Sequence, residues 1–134
     1  MTDDMGAATG PVRLWLRAEG VALLAAATAL YAMADGNWWL FALLFLAPDL
    51  AMLGYLRSAR IGAVLYNAAH STLGPLALAG LGVSTIPEAL PPALIWLAHI
   101  GFDRALGYGL KYGSGFGDTH LGRIGRQAAG QAAR

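Results

Sequence analysis

Four long apolar stretches, separated by short polar links, take up most of the chain. The first runs from about Leu14 to Met33 and carries Arg17 and Glu19; the second, Trp38 to Leu56, carries Asp49. The third, Ile61 to about Val83, has no charge, and the fourth, about Ala89 to Leu110, holds His99, Asp103 and Arg104. Each is close to the ~20 residues a helix needs to cross the hydrocarbon core of a bilayer. A spanning segment must satisfy its own backbone hydrogen bonds, which favours helices, and the sequence lacks the short alternating segments of a membrane barrel. The links agree with this division. Ala34-Asp35-Gly36-Asn37 is a turn followed by Trp38-Trp39, a pair suited to a membrane interface. Arg57-Ser58-Ala59-Arg60 is short and polar, and Pro87, Pro91 and Pro92 end one helix and start the next. The pattern predicts an all-α fold, an integral membrane four-helix bundle. An N-terminal arm (1–12) precedes the bundle (13–112, with helices at about 14–33, 38–56, 61–83 and 89–110), and a Gly-rich then basic tail (113–134) follows it.

Composition sharpens this picture. Of 134 residues, 57% are hydrophobic and only 13% charged, against about 25% charged in an ordinary soluble domain. Mean hydropathy is +0.51. The absence of cysteine removes disulfides, thiolate metal sites and cysteine nucleophiles. The net charge of +1 says little, but its placement says more. With four crossings, the N-terminus, the second link and the tail share one side. That side collects all nine basic residues: Arg13, Arg17, Arg57, Arg60, Arg104, Lys111, Arg123, Arg126 and Arg134. The opposite links hold only Asp35 and Glu88. The positive-inside bias therefore places both termini in the cytoplasm of a multi-pass cell-membrane protein. A signal peptide is a competing reading of Arg13 to Ala34, but Glu19 fits it poorly, and cleavage would remove one helix from a consistent set.

Charged groups at membrane depth are expensive, and by default they face a functional interior. At about 1.5 Å per residue, Glu19, Asp49, Asn67 and Asp103 fall about 9–11 Å inside the cytoplasmic boundary. His70 and His99 fall about 15–17 Å deep. His99 and Asp103 share one helix face at i and i+4, as do Tyr66 and His70, while Asn67 and His70 are i and i+3. Imidazole and carboxylate groups from facing helices are what a divalent ion held inside a bundle requires. Asp49, His70, His99 and Asp103 are the expected ligands. Glu19 and Asp49 are the candidate catalytic carboxylates, and Tyr66, Asn67 and Arg104 the supporting groups. The bland alternative is that the histidines are hydrogen-bonding glue between helices, that Pro48-Asp49 marks a kink, and that Arg104 snorkels to the head groups.

The segment from Gly107 to Gly122 is rich in glycine and can fold closely over a neighbouring surface. Asp118 and His120 could then cap the mouth of the site, or Lys111, Arg123 and Arg126 could meet a lipid phosphate. No P-loop or dinucleotide fingerprint is present, Ser71 beside His70 makes no triad, and nucleic-acid binding has little support.

Leu40 to Leu50 with its Ala47-Pro48-Asp49, Tyr66-Asn67-Ala68-Ala69-His70, Ile95 to Arg104, and the run from Leu106 to Gly122 with its Asp118-Thr119-His120-Leu121-Gly122 resemble an uncharacterised bacterial family. It is the domain-of-unknown-function family numbered 4260, and the resemblance covers about Leu14 to Ile124. It implies a small multi-helix protein of the bacterial inner membrane and carries no activity, so the chemistry rests on the residues themselves. They point to a membrane-embedded metalloprotein, a metal-dependent hydrolase or oxidoreductase acting on an apolar or lipid-like substrate at the inner leaflet. Without cysteine, the ligands suit zinc, iron or manganese better than copper(I). The alternatives are a proton or solute channel, as a homo-oligomer, and a haem-binding bundle with His70 and His99 as axial ligands.

Overall fold

The computed structural model describes residues 6–124. Helix α1 (Gly10–Met33) is continuous, with Pro11 in its first turn. Helix α2 (Trp38–Phe45) starts at Asn37, whose side-chain oxygen accepts the backbone N–H groups of Trp39 and Leu40 and so caps two orphan donors. It gives way at Leu46 to a 3₁₀ segment, Ala47–Leu56. Helix α3 (Ala59–His70) is capped by Ser58 and ends at His70, and α4 (Leu73–Ser84) resumes after Ser71 and Thr72. A single 3₁₀ turn (Pro87–Ala89) leads into α5 (Leu90–Leu106). Two short strands, β1 (Asp118–Thr119) and β2 (Gly122–Arg123), pair antiparallel in the tail.

Four helical runs are therefore present, as the hydropathy predicts, but the second and third are interrupted. The physical cause lies in two prolines. Pro48 has no N–H to offer Leu44, and Pro75 cannot donate to Ser71 and crowds its carbonyl. Each therefore sits just inside the start of a new helical segment, where a missing N–H costs least. Two helices, Gly10–Met33 and the run Trp38–Leu56, are long and apolar enough to cross a membrane.

The core is centred on α5, whose residues from Ala93 to Gly101 are almost all buried. Helix α1 packs against it along its length. A Cβ added at Gly101 would lie 2.5 Å from the Leu24 nitrogen, and one at Gly20 would lie 2.6 Å from the Ala105 nitrogen. These two positions let the backbones touch, the small-residue contact typical of helix pairs in lipid. At the other end Tyr31, 1% exposed, meets Trp38 and Phe41 edge-on and bonds to the Asn37 carbonyl. The outward faces are the reverse of a soluble protein: Trp39 and Leu56 are 87% exposed and Met33 80%.

Gly107 ends α5 at φ +92. Its N–H bonds to the Arg104 carbonyl and that of Tyr108 to Asp103, a left-handed stop that needs glycine. The chain then turns back beneath the bundle. Asn67 holds it there by pairing with both polar groups of the Lys111 backbone, at 2.6 and 2.7 Å. The arm joins the same layer, with Ala8 N–H on the His120 carbonyl and the Tyr112 hydroxyl on Gly6. Of the expected basic tail, Arg126 and Arg134 lie outside the described residues.

Candidate metal centre

Three elements deliver four ligand atoms to one point. Asp49 stands in the first turn of the 3₁₀ segment, His70 is the last residue of α3, and His99 and Asp103 lie one turn apart on α5. The two Nε2 atoms are 3.1 Å apart. Asp49 Oδ1 is 3.4 Å from each, and Asp103 Oδ2 is 3.3 Å from each. All four ligand atoms lie within 4.8 Å of one another. Two ligands bound to one ion at about 2.0–2.1 Å in tetrahedral geometry sit about 3.3–3.4 Å apart. Four of the six edges match that spacing, and the edge between the two Nε2 atoms is shorter at 3.1 Å.

The chemistry of the donors agrees with the distances. His70 Nδ1 lies 2.9 Å from the Tyr66 carbonyl, which can only accept, so this nitrogen carries a proton and Nε2 is the atom turned to the cluster. Two carboxylate oxygens and a second imidazole face it. These four inward-facing ligand atoms could hold a metal ion. The group is sheltered: His70 and His99 are 2% and 1% exposed. The Asp103 side chain is 13% exposed and that of Asp49 34%, so access is from the Asp49 side.

The surroundings fix the ligands. The Tyr66 ring stacks on His70 at 3.7 Å and 8°, and its hydroxyl lies 3.5 Å from Asp103. The break after His70 frees carbonyls at the end of α3. Trp96 Nε1 donates to that of Ala69 at 2.5 Å, and Arg104 Nη2 to that of His70 at 3.2 Å. Arg104 is thus tied to the end of the ligand-bearing helix, while Arg17 occupies the Ala105 carbonyl. Phe45 meets the His99 ring edge-on.

The other residues singled out in the sequence are placed differently. Glu19 is exposed on α1 and is not among the converging groups. Its neighbour Gly20 is the one that meets α5, which turns Glu19 off the packed face. Asn67 anchors the tail. Asp118 pairs with Arg123 at 3.2 Å and with Ser114 at 2.7 Å, inside the tail itself. His120 Nδ1 accepts the Leu110 N–H at 2.9 Å. Burial and the Arg104 charge hold the His120 imidazole below its usual range, in keeping with that acceptor role. The tail thus covers the bundle through its fold, with these two side chains turned to their own segment.

Beside the four ligands opens a cavity of about 470 Å³. Asp49, Asp103 and Tyr66 form one wall; Met52, Phe102, Leu106 and Ile124 make it apolar; Tyr108, Lys111 and Phe116 come from the tail. Sequence reasoning did not single out Lys111 or Trp96 for roles at this site. The signal for Trp96 was Pro75, which predicts a break whose carbonyls need donors.

The chain belongs to the family described as "Domain of unknown function (DUF4260)", which matches residues 13–124. Comparisons with curated proteins and with solved structures gave no match.

Proposed function

We propose that this DUF4260 member is an integral membrane metalloenzyme in which Asp49, His70, His99 and Asp103 bind one divalent ion, with zinc the first choice. The observation that carries the reading is the set of five ligand-to-ligand distances between 3.1 and 3.4 Å. Four nitrogen and oxygen ligands in tetrahedral spacing suit zinc, while a fifth position would suit iron or manganese. When bound, the ion would supply a Lewis acid and a water of lowered pKa.

The chain's own groups supply the rest. His70, His99 and Asp103 would hold the ion throughout, and Asp49, the most open of the four, would be the ligand that gives up its position to water and takes that water's proton. The apolar cavity receives a lipid-like substrate and excludes bulk water. Hydrolysis of an ester or amide in that substrate adds water across the bond and needs no further reactant. Membrane insertion is supported by the two long apolar helices and by the large apolar side chains on their outer faces. The collection of basic residues on one side supports cytoplasmic termini and access from the inner leaflet.

The same geometry weighs against haem. Axial ligands lie on opposite sides of the iron, about 4 Å apart with the porphyrin between them, whereas the two Nε2 atoms stand 3.1 Å apart with carboxylates at their sides.

Elemental analysis of detergent-purified protein tests the reading. Wild type is expected to hold close to one zinc, iron or manganese per chain, and His70→Ala and His99→Ala to hold almost none. Folded wild-type protein that stays metal-free after reconstitution with each ion overturns it.

A further inference from the structure

Lys111 is the unusual charge of this molecule. It is 4% exposed, yet among the described residues no carboxylate pairs with its ammonium. Nζ donates to the Phe116 carbonyl at 2.7 Å and lies 3.7 Å from the Phe116 ring centre and 4.6 Å from that of Tyr66. One neutral acceptor and two ring faces leave an ammonium's donors under-used, and a buried charge ordinarily finds a counter-charge. Its backbone is clamped independently by Asn67, so the position is imposed by the fold.

Lys111 shares the cavity with the metal centre, and the charged residues lining that cavity are Asp49, Asp103 and Lys111. A divalent ion on the two carboxylates brings their summed charge to zero. The lysine then stands alone as a positive group on the wall of an apolar chamber. Resting on the metal-site reading above, we infer that the cavity takes a monoanionic amphiphile. Its carboxylate or phosphate-ester head pairs with Lys111, and its single apolar chain lies along Met52, Phe102 and Leu106. Without the ion the two aspartates repel such a head group; with it the site is matched to one negative charge. Charge-assisted hydrogen bonds in a sheltered site are among the stronger polar contacts.

The test measures binding of labelled dodecanoate, dodecyl methyl phosphate (a singly charged diester) and dodecanol to the full chain in maltoside micelles, before and after zinc loading. Zinc content is read in the same samples, and acetate and inorganic phosphate serve as tail-less competitors. Zinc-loaded wild type is expected to prefer the anions over dodecanol by about tenfold or more. Lys111→Met should lose that preference while keeping its zinc and its dodecanol binding, and Lys111→Arg should retain it. Weak competition by acetate and phosphate assigns the anion to an amphiphile; full competition means a free small anion, and overturns the amphiphile. Bound zinc with equal affinity for charged and uncharged chains, or a preference that survives Lys111→Met, overturns the inference and leaves the metal centre standing. Failure to load zinc, iron or manganese at all overturns the metal reading instead.

Discussion

Helices α1 and α5 form one half of the molecule, and the interrupted runs α2 with its 3₁₀ segment and α3 with α4 form the other; the two halves are built on opposite principles. The first pair is continuous, closely packed through Gly20 and Gly101, and held by apolar area. The second pair is broken in mid-run, and each break places a ligand: Asp49 one residue after Pro48, His70 at the end of α3. Where backbone must leave the helix inside an apolar layer, its freed polar groups have to be met by protein. Here α5 meets them, with Trp96 and Arg104, from the same helix that carries the other two ligands. Continuity supplies a rigid reference, and interruption supplies reach.

That contrast can be broken at either half. The largest effect expected is at the ligands. His99→Ala should lower metal affinity by more than the 10- to 100-fold typical of changes to residues that only hold a ligand in place, while the α1–α5 pair persists, as judged by helical circular dichroism. Gly101→Leu attacks the continuous half, pressing a side chain into the α1 backbone. Overpacking of this kind costs about 1–3 kcal/mol, visible as a lower unfolding temperature in detergent, with metal stoichiometry unchanged in the fraction that stays folded. Trp96→Phe leaves the Ala69 carbonyl without its donor. It should destabilise by about 1 kcal/mol and weaken metal binding about tenfold, because the end of α3 loses a support. Equal effects of Trp96→Phe and Gly101→Leu on metal affinity would erase the distinction between scaffold and site.

The smallest effect concerns the tail. His120 must be neutral at Nδ1 to accept the Leu110 N–H, and its pKa lies below the usual histidine range. The unfolded tail therefore binds a proton more readily than the folded one, and stability rises with pH across the interval between the two pKa values. Acidification below about pH 6.5 should lower the hydrogen-exchange protection factors of Leu110 and Leu121, corrected for the intrinsic rate at each pH, in wild type. His120→Gln should remove that pH dependence.

Much of this was readable from the residues. Hydropathy gave the four runs because each exceeds the length of an ordinary core helix, and helical phase put His99 and Asp103 on one face because i and i+4 are adjacent in any α-helix. Depth was read less well. Counting Asp49 upward from Leu56 as α-helix puts it about 10 Å in, a turn short of the histidines. The segment is 3₁₀, which rises about 2 Å per residue and lifts Asp49 to about 14 Å, level with them. The continuous third helix expected over 61–83 failed for a reason present in the sequence, Pro75 four residues beyond Ser71. Glu19 shared the expected depth but not the direction, and direction depends on which face of α1 docks. The Lys111 position was beyond reach because it follows from Asn67 pairing with backbone 44 residues away.

The Asn67 clamp also has a consequence in the order of synthesis. All four ligands precede Gly107, whereas Tyr108, Lys111, Phe116 and Ile124, the floor of the cavity, follow it. On a growing chain the complete ligand set therefore exists before the floor does, and Asn67 waits more than forty residues for the strand it holds. A chain stopped after Leu106 would keep every candidate ligand and lose the wall that closes the chamber beside them.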